Sequence, residues 1–499
     1  MAISNIDLVD RQSASIAHRA RRESASRGSV VILCPTRWGV RNFAQSGIVS
    51  SLQKRGIRAW VLGLGSTLGS LEDILGEGVG PMHDAPLTRP LRGKAFLDAV
   101  LRASFARRYK LSSYQIFNRW LCRDESLGLR ARRKMIDSLA VIGSKAPLFS
   151  GQIRFLDERF KTNRDLDMIK RQLLVMQPSL VVSTNCVSAT HEIPYLQAAL
   201  SLGIPTLGSI LSFDNLTSRG LVPVFDYYAV WNGRMKDQVL RFYPESKADH
   251  VRITGTPQFD FHKREQLRWS RAKTLKRLGL QDGDRYILYG GNLSLYTPSE
   301  PRLVAELARS CALVPSLAQH RIVVRPHPQE GEVRWRELEK LNARITVTKP
   351  DKQESDSAGS EDQALLVNTL RHSDVCLNVA STISLDAAVV DTPVICVAFA
   401  GQRGGEEDRF CRDVYDTEHY RPIAESGGVR LAFSMEQLVD EILAYVRDPS
   451  RDKQSRLALV NNECGIVDGL AAERVVEMIS ETIREVQRLH GNVAQFPDA

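Results

Sequence analysis

The sequence predicts an α/β protein of two Rossmann-like domains facing a cleft. Short β-branched runs alternate with helical patterns from Ser29, the alternation gives way to a polar basic stretch, and it starts again at Arg285. With 499 residues, 43% of them hydrophobic, the chain exceeds one ordinary core and has apolar material for two.

Residues 1–28 are polar and rich in Ser, Ala and Arg, which predicts a disordered arm without the apolar core of a secretory signal. The first domain is placed at 29–255. SVVILC from Ser29 reads as a strand, a Pro/Gly loop leads to a helix through SGIVSSLQKRG, and IRAWVLGLG is the second strand. From about Leu87 to Asp157 a long basic helical region interrupts the rhythm. It returns as the helix DMIKRQLLVMQ ended by Pro178, the strand SLVVST, the helix EIPYLQAALSLG and the strand IPTLGSI. Residues 256–280 read as a polar, basic linker with a helix, about which the halves are expected to hinge. The second domain, 281–470, runs through RYILYGG, a helix to Ala318, RIVVRPHP, ARITVTK, DVCLNVA, the helix STISLDAAVV and the strand PVICVAF. Lys349 to Asp362 reads as a mobile surface loop. Residues 471–499 are a helix and tail whose apolar spacing predicts packing back across the first domain.

The net charge of +9 suits an anionic partner without naming one. The eight cysteines form no C-x-x-C pair, and Cys376 and Cys396 lie in apolar strand runs, so reduced structural thiols and a cytoplasmic protein are expected. No stretch approaches the ~20 apolar residues of a membrane span. Arg102 to Glu125 interleaves Arg with aromatic residues. Two readings stand: peripheral contact with an anionic membrane at its inner face, or a helix with one buried side.

Ligands of open α/β sheets bind at the carboxyl ends of the strands. Arg325 and His327 of R-P-H-P directly follow a strand, and both side chains can donate to phosphate. After the strand DVCLN, Ser381 and Thr382 either cap the next helix or add their hydroxyls to an anion site at its start. Asp386 lies four residues beyond Thr382 on the same face, placed to take ribose hydroxyls, or simply exposed. In the first domain His191 and Glu192 open a helix after SLVVSTN and are candidates for a general base, although a Glu in a first helical turn is also ordinary helix chemistry. Asp214 and Asn215 either line the cleft or form an Asx turn. Arg37, Arg41 and Asn42 follow the first strand and either bind acceptor or donor phosphates or are solvated loop residues. Metal signals are poor, since Asp165 and Asp167 would splay on a helix and Asp282 and Asp284 look like a turn. No metal and no cofactor are expected, and neither a nucleotide-binding P-loop, a nucleophile elbow nor a zinc helix is present.

The order of Gly290-Gly291-Asn292 after a strand, R-P-H-P at Arg325 to Pro328, N-x-x-S-T-x-x-x-D-A-A at Asn378 to Ala388 and D-T-P-V-I at Asp391 to Ile395 resembles the donor domain of GT-B glycosyltransferases. The likeness spans roughly Ser209 to Arg474. It is greatest toward bacterial capsule and cell-wall enzymes of sialyltransferase-like, Kdo-transferase-like and CDP-glycerol glycerophosphotransferase-like families. The resemblance implies a nucleotide-sugar donor whose phosphates His327, Ser381 and Thr382 bind, and a polysaccharide or lipid-linked acceptor. Gly290, Gly291, Asn292, Arg325 and Asp386 are the further donor contacts expected, and Glu192, His191 or Asp214, read from their positions, the groups expected to activate the acceptor. The resemblance implies no nucleic acid partner. Alternatives are a glycerophosphotransferase, a UDP-N-acetylglucosamine 2-epimerase and a non-catalytic assembly scaffold. The epimerase resemblance would call for S-G-G-x-x-E-E where this chain has Ser381-Thr382-Ile383-Ser384-Leu385-Asp386-Ala387.

Overall fold

The computed structural model describes residues 28–82, 94–123, 126–145, 163–186, 191–218, 224–330, 332–348, 358–402 and 404–493. The proposed arm at 1–27, most of the proposed loop between Lys349 and Asp362, and residues 87–93, 124–125 and 146–157 of the basic region lie outside them.

Two wholly parallel sheets form, one in each half. The first has the order β3-β2-β1-β4-β5-β6-β7. Its strands are β1 (Ser29–Cys34), β2 (Arg58–Gly63), β3 (Val79–Pro81), β4 (Leu180–Ser183), β5 (Thr206–Ser209), β6 (Tyr227–Val230) and β7 (Val251–Ile253). The second has the order β10-β9-β8-β11-β12-β13, from β8 (Tyr286–Gly290), β9 (Arg321–Arg325), β10 (Ile345–Val347), β11 (Val375–Asn378), β12 (Val394–Val397) and β13 (Arg430–Ala432). Central strands such as Val30–Leu33 and Tyr286–Tyr289 are fully buried, because helices cover both faces. The order reverses between β1 and β4 and again between β8 and β11, and each reversal opens a crevice at the strands' carboxyl ends.

The C-terminal helix Ala471–Val493 returns to the first half, where Val475, Val476, Ile479 and Ile483 bury against Val30, Ile32 and Leu180. Its start is fixed by Asp260, whose carboxylate accepts from the amides of Ala471 (3.1 Å) and Ala472 (2.8 Å). Asp260 belongs to the stretch read as a polar linker, and here the structure corrects the reading. Thr256 to His262 is buried throughout, with Phe259 and Phe261 in the interior. The basic residues that follow, from Lys263 onward, reach outward from this spine. Arg264, for example, extends to the carbonyls of Gln45 (3.0 Å) and Ser46 (2.6 Å).

Among the described residues the basic interruption forms three helices, Lys94–Tyr109, Ser112–Leu121 and Leu127–Lys145. The middle one leaves its own half and docks on the other. Trp120 Nε1 donates to the Leu295 carbonyl (2.8 Å), its ring stacks on Phe410 at 5.1 Å, and Arg119 pairs with Asp413 at 2.7 Å. Phe117 packs inward as the buried-side reading expects, whereas Leu121 is exposed. No helix among the described residues is long and apolar enough to cross a membrane. All eight cysteines are free, and seven are buried.

Candidate functional site

The second crevice is built from three adjacent strand ends. Register aligns Gly290 of β8 with Arg325 of β9 on one side and Asn378 of β11 on the other. The loops after these residues therefore share one end of the sheet. Gly290 must lack a side chain because a Cβ there would come within 2.9 Å of Ile383, and one at Gly291 would come within 2.6 Å of the Trp335 ring.

His327 sits half-buried beyond β9. The Gln329 amide donates to its Nδ1 at 3.2 Å, so the neutral ring carries its hydrogen on Nε2. Burial lowers its pKa, against a smaller opposing pull from Glu330. At neutral pH His327 thus offers an uncharged N–H donor. Beyond β11, Ala380 takes a left-handed φ of 40° and donates its amide to Tyr415 Oη (3.1 Å), a local strain stored in the loop that presents Ser381 and Thr382. The Ser381 amide is held by Asn378 Oδ1 (2.9 Å), and Asn378 is braced by Ser384, whose hydroxyl lies 2.8 Å from Tyr420 Oη. Thr382 makes no cap bond to the helix Ile383–Val389, and the Ser381 hydroxyl approaches the Ile383 amide only at 3.5 Å. Both half-buried hydroxyls remain available to a ligand.

Other predicted donor contacts are committed elsewhere. The amide of Gly291 goes to the Arg325 carbonyl (2.9 Å), that of Asn292 to Glu300 (3.0 Å) and that of Ser294 to Glu330. The Asn292 side chain bridges to the Val379 carbonyl (3.1 Å). This loop shapes the crevice without presenting a row of free amides. Its organiser, missed in the sequence, is Glu300, buried at the start of the helix Glu300–Ala312 and facing Tyr289 Oη (3.0 Å) and Arg334 (3.4 Å). Burial pushes Glu300 up to about 7, with Arg334 opposing. Arg325 pairs with Asp362 at 2.8 Å.

Asp386 requires a correction. It is buried, with its carboxylate accepting from His262 Nε2 (2.8 Å) and Gln258 Nε2 (3.2 Å). The helical spacing from Thr382 holds, but the face it predicts meets the interdomain segment, so no carboxylate is offered to a ribose. Gln258 in turn accepts from Arg41 (2.9 Å), whose Nε donates to Asn42 Oδ1 (3.0 Å). Arg41, held by buried Asn42, is therefore linked through Gln258 to Asp386 of the second half, and Gln45 bonds to Gln363 directly. Burial lowers the Arg41 pKa to about 10, with Asp386 and Asp362 opposing. Arg37, in contrast, is exposed after β1.

Glu192 is corrected as well. It is wholly buried, and its carboxylate turns back to the Ser183 hydroxyl and the Thr184 amide (3.2 Å) at the end of β4. Burial pushes it up to about 8. It braces that loop and does not face an open crevice. His191 is exposed in the preceding turn. Asp214 is half-buried after β5, bonded to the Ser218 hydroxyl (2.8 Å) and to Asn215 Nδ2 (3.3 Å). Opposite it, from the second half, stands buried His419. This ring is stacked near Phe117 and edge-on to Phe213, within 3.4 Å of the Thr217 and Ser113 hydroxyls. Burial lowers its pKa, with Asp214 foremost among the groups opposing. Glu418 beside it accepts from the amides of Ser112 and Ser113 and from the Ser113 hydroxyl, capping the bridging helix. No motif marks His419 or Glu418 in the sequence. No cluster of three His, Cys, Asp or Glu able to hold a metal occurs among the described residues.

No protein-family model matches the chain, and no curated protein matches it in sequence. Solved structures do match in shape. MnaA of S. aureus with UDP aligns over 92% of this chain and 97% of its own, at TM-score 0.52 and 13% identity. The UDP-GlcNAc 2-epimerase of Neisseria meningitidis bound to UDP-GlcNAc aligns over 91% and 100%, at TM-score 0.51 and 13% identity. A glycosyltransferase from Rickettsia africae aligns over 92% and 99%, at TM-score 0.50 and 11% identity.

The fold is GT-B. In this GT-B chain, the crevice after β8, β9 and β11 lies in the second half, and the loops after β1, β4 and β5 lie in the first. The loops that carry His327 and Ser381-Thr382 thereby lie at the same end of the second sheet, while Glu192 and Asp386 are buried in the framework.

Proposed function

We propose that this chain is a nucleotide-sugar-dependent glycosyltransferase acting on a polysaccharide or lipid-linked acceptor in the cytoplasm. The observation that carries the reading is the pairing of an uncharged His327 Nε2–H with the uncapped hydroxyls of Ser381 and Thr382 at one switch point, a donor set suited to phosphate oxygens. The donor's anomeric C–O bond to phosphate breaks, and the acceptor oxygen forms the new bond. The acceptor's proton passes to a first-half base, a role for which half-buried Asp214 is better placed than Glu192. His327 and the two hydroxyls stabilise charge growing on the leaving phosphate, with no cofactor required.

A 2-epimerase reading has its own specific support, because several of the similar folds are UDP-GlcNAc 2-epimerases. The two reactions differ in their demand for an acceptor. Calorimetric titration of UDP-, CDP-, CMP- and GDP-linked sugars should find one binder, whose affinity falls roughly ten- to a hundredfold in His327→Ala, the worth of one hydrogen bond to a charged group. Incubation of that donor followed by NMR should leave it unchanged until acceptor is added. Conversion without acceptor would replace transfer with epimerisation, and undiminished binding by the variant would remove His327 from the site.

A further inference from the structure

The helix Leu127–Lys145 is amphipathic in an unusual sense, because its outward face is itself apolar and basic. Its inward face, Ile136, Ala140 and Gly143, buries against Val100 and Ala103 of the helix Lys94–Tyr109. At about 100° per residue, the opposite side gathers Leu127, Arg130, Lys134, Met135, Val141, Ile142 and Lys145 within an arc of about 140°. Leu127 is 83% exposed, Met135 52%, Val141 40% and Ile142 53%. Arg130, Lys134 and Lys145 are exposed among them, and no acidic residue falls in the arc. Asp137, the helix's acidic residue, lies at the edge and faces Arg107 at 3.9 Å.

A second feature adjoins this face. Where the three helices meet, a groove is lined by Arg107, Lys110, Lys145, Ser112, Gln115 and Ser144, together with Val141 from the apolar stripe. Arg107 is shared with Asp137, and the Ser112 and Ser144 hydroxyls donate to the Asp416 and Val141 carbonyls, so Lys110 and Lys145 are the lining groups that suit phosphate. Their continuity with exposed aliphatic side chains suits a surface that is anionic outside and hydrocarbon beneath.

We propose that this face docks on an anionic lipid bilayer, with the helix lying in the plane of the interface, its aliphatic side chains among the acyl chains and the groove's cations at the headgroup phosphates. The inference stands apart from the donor reading, since none of these residues belongs to the crevice. It has a consequence for that reading, because the neighbouring helix Ser112–Leu121 bridges to the second half through Trp120 and Glu418, so docking would hold the crevice close to the bilayer.

Co-sedimentation of the full chain with phosphatidylcholine vesicles, with and without phosphatidylglycerol, tests the proposal. Partition is expected on the anionic vesicles, weakening with added salt, and not on the neutral ones. The triple variant R130Q/K134Q/K145Q should lower partition by roughly a hundredfold, about fivefold per cation removed. The variant L127S/I142S should lower it about tenfold or more with the salt dependence retained. All five positions are exposed, and unchanged melting temperatures would confirm that both variants fold. Failure of the parent to partition would overturn the proposal and leave the face to a protein partner. Undiminished partition by both variants would overturn it too, assigning membrane affinity to another part of the chain.

Discussion

Replacing Asp386 with Ala separates a framework role from a ligand contact. The substitution strands two buried donors, His262 Nε2 and Gln258 Nε2, now 2.8 and 3.2 Å from the carboxylate. Each unsatisfied buried donor costs about 1–3 kcal/mol, so a loss of about 3 kcal/mol is a moderate expectation. For a domain of this size that corresponds to roughly 6–12 °C in melting temperature. Asp386→Asn should fall between parent and Ala. Its carbonyl can still accept from His262, but its amide nitrogen opposes that of Gln258, which cannot turn over without losing the bond from Arg41 at 2.9 Å. Thermal unfolding of the three proteins, with donor titration well below the transition, provides the measurement. Donor affinity should change little in whatever fraction remains folded. If Asp386→Ala melts with the parent while donor affinity drops tenfold or more, the carboxylate contacts ribose after all, and the junction network is incidental.

Two further outcomes concern carboxylates outside the second crevice. Glu192, raised by burial to about 8, holds a proton in the folded chain that the unfolded chain releases near 4.5. Its contribution to stability is therefore full below about 4.5 and is lost as pH rises through about 8. Glu192→Gln should flatten this decline in melting temperature while preserving turnover, whereas Asp214→Asn should cut turnover by about 10²–10⁴-fold; the opposite pattern would restore Glu192 as the base. Glu418→Ala removes the cap on the bridging helix, whose Ser113 amide it accepts at 2.9 Å. Loss of a cap is worth about 1 kcal/mol, so amide hydrogen exchange should quicken roughly fivefold within Ser112–Leu121 and stay unchanged in the second sheet. Equal protection in both proteins would mean that Trp120 and Arg119 alone hold the helix.

The two sheets were legible because parallel strands covered on both faces must be apolar along nearly their whole length, as Val30–Leu33, Leu180–Val182 and Tyr286–Tyr289 are. The strand ends were legible for the same reason, and they place His327, Ser381 and Thr382 on one crevice. Thr256–Leu280 deceived because its charges dominate its composition, while Phe259, Phe261 and Leu267, set among them, do the packing. Asp386 and Glu192 deceived differently. Helical spacing assigns a residue to a face, but what meets that face is decided by the packing, whether the partner is near or far in the chain. His262 is 124 residues from Asp386, and Glu192 turns back across the turn to Ser183. A carboxylate that finds such partners is desolvated and held, which removes it from ligand binding. In His327 the local bond leaves a group open: the Gln329 amide satisfies Nδ1 from two residues away and directs the remaining N–H outward from the ring. A polar group satisfied locally on one side keeps its other side for a ligand, which is what the R-P-H-P motif leads one to expect of His327. Where the partners come from the packing, as for Asp386 and Glu192, no motif shows them.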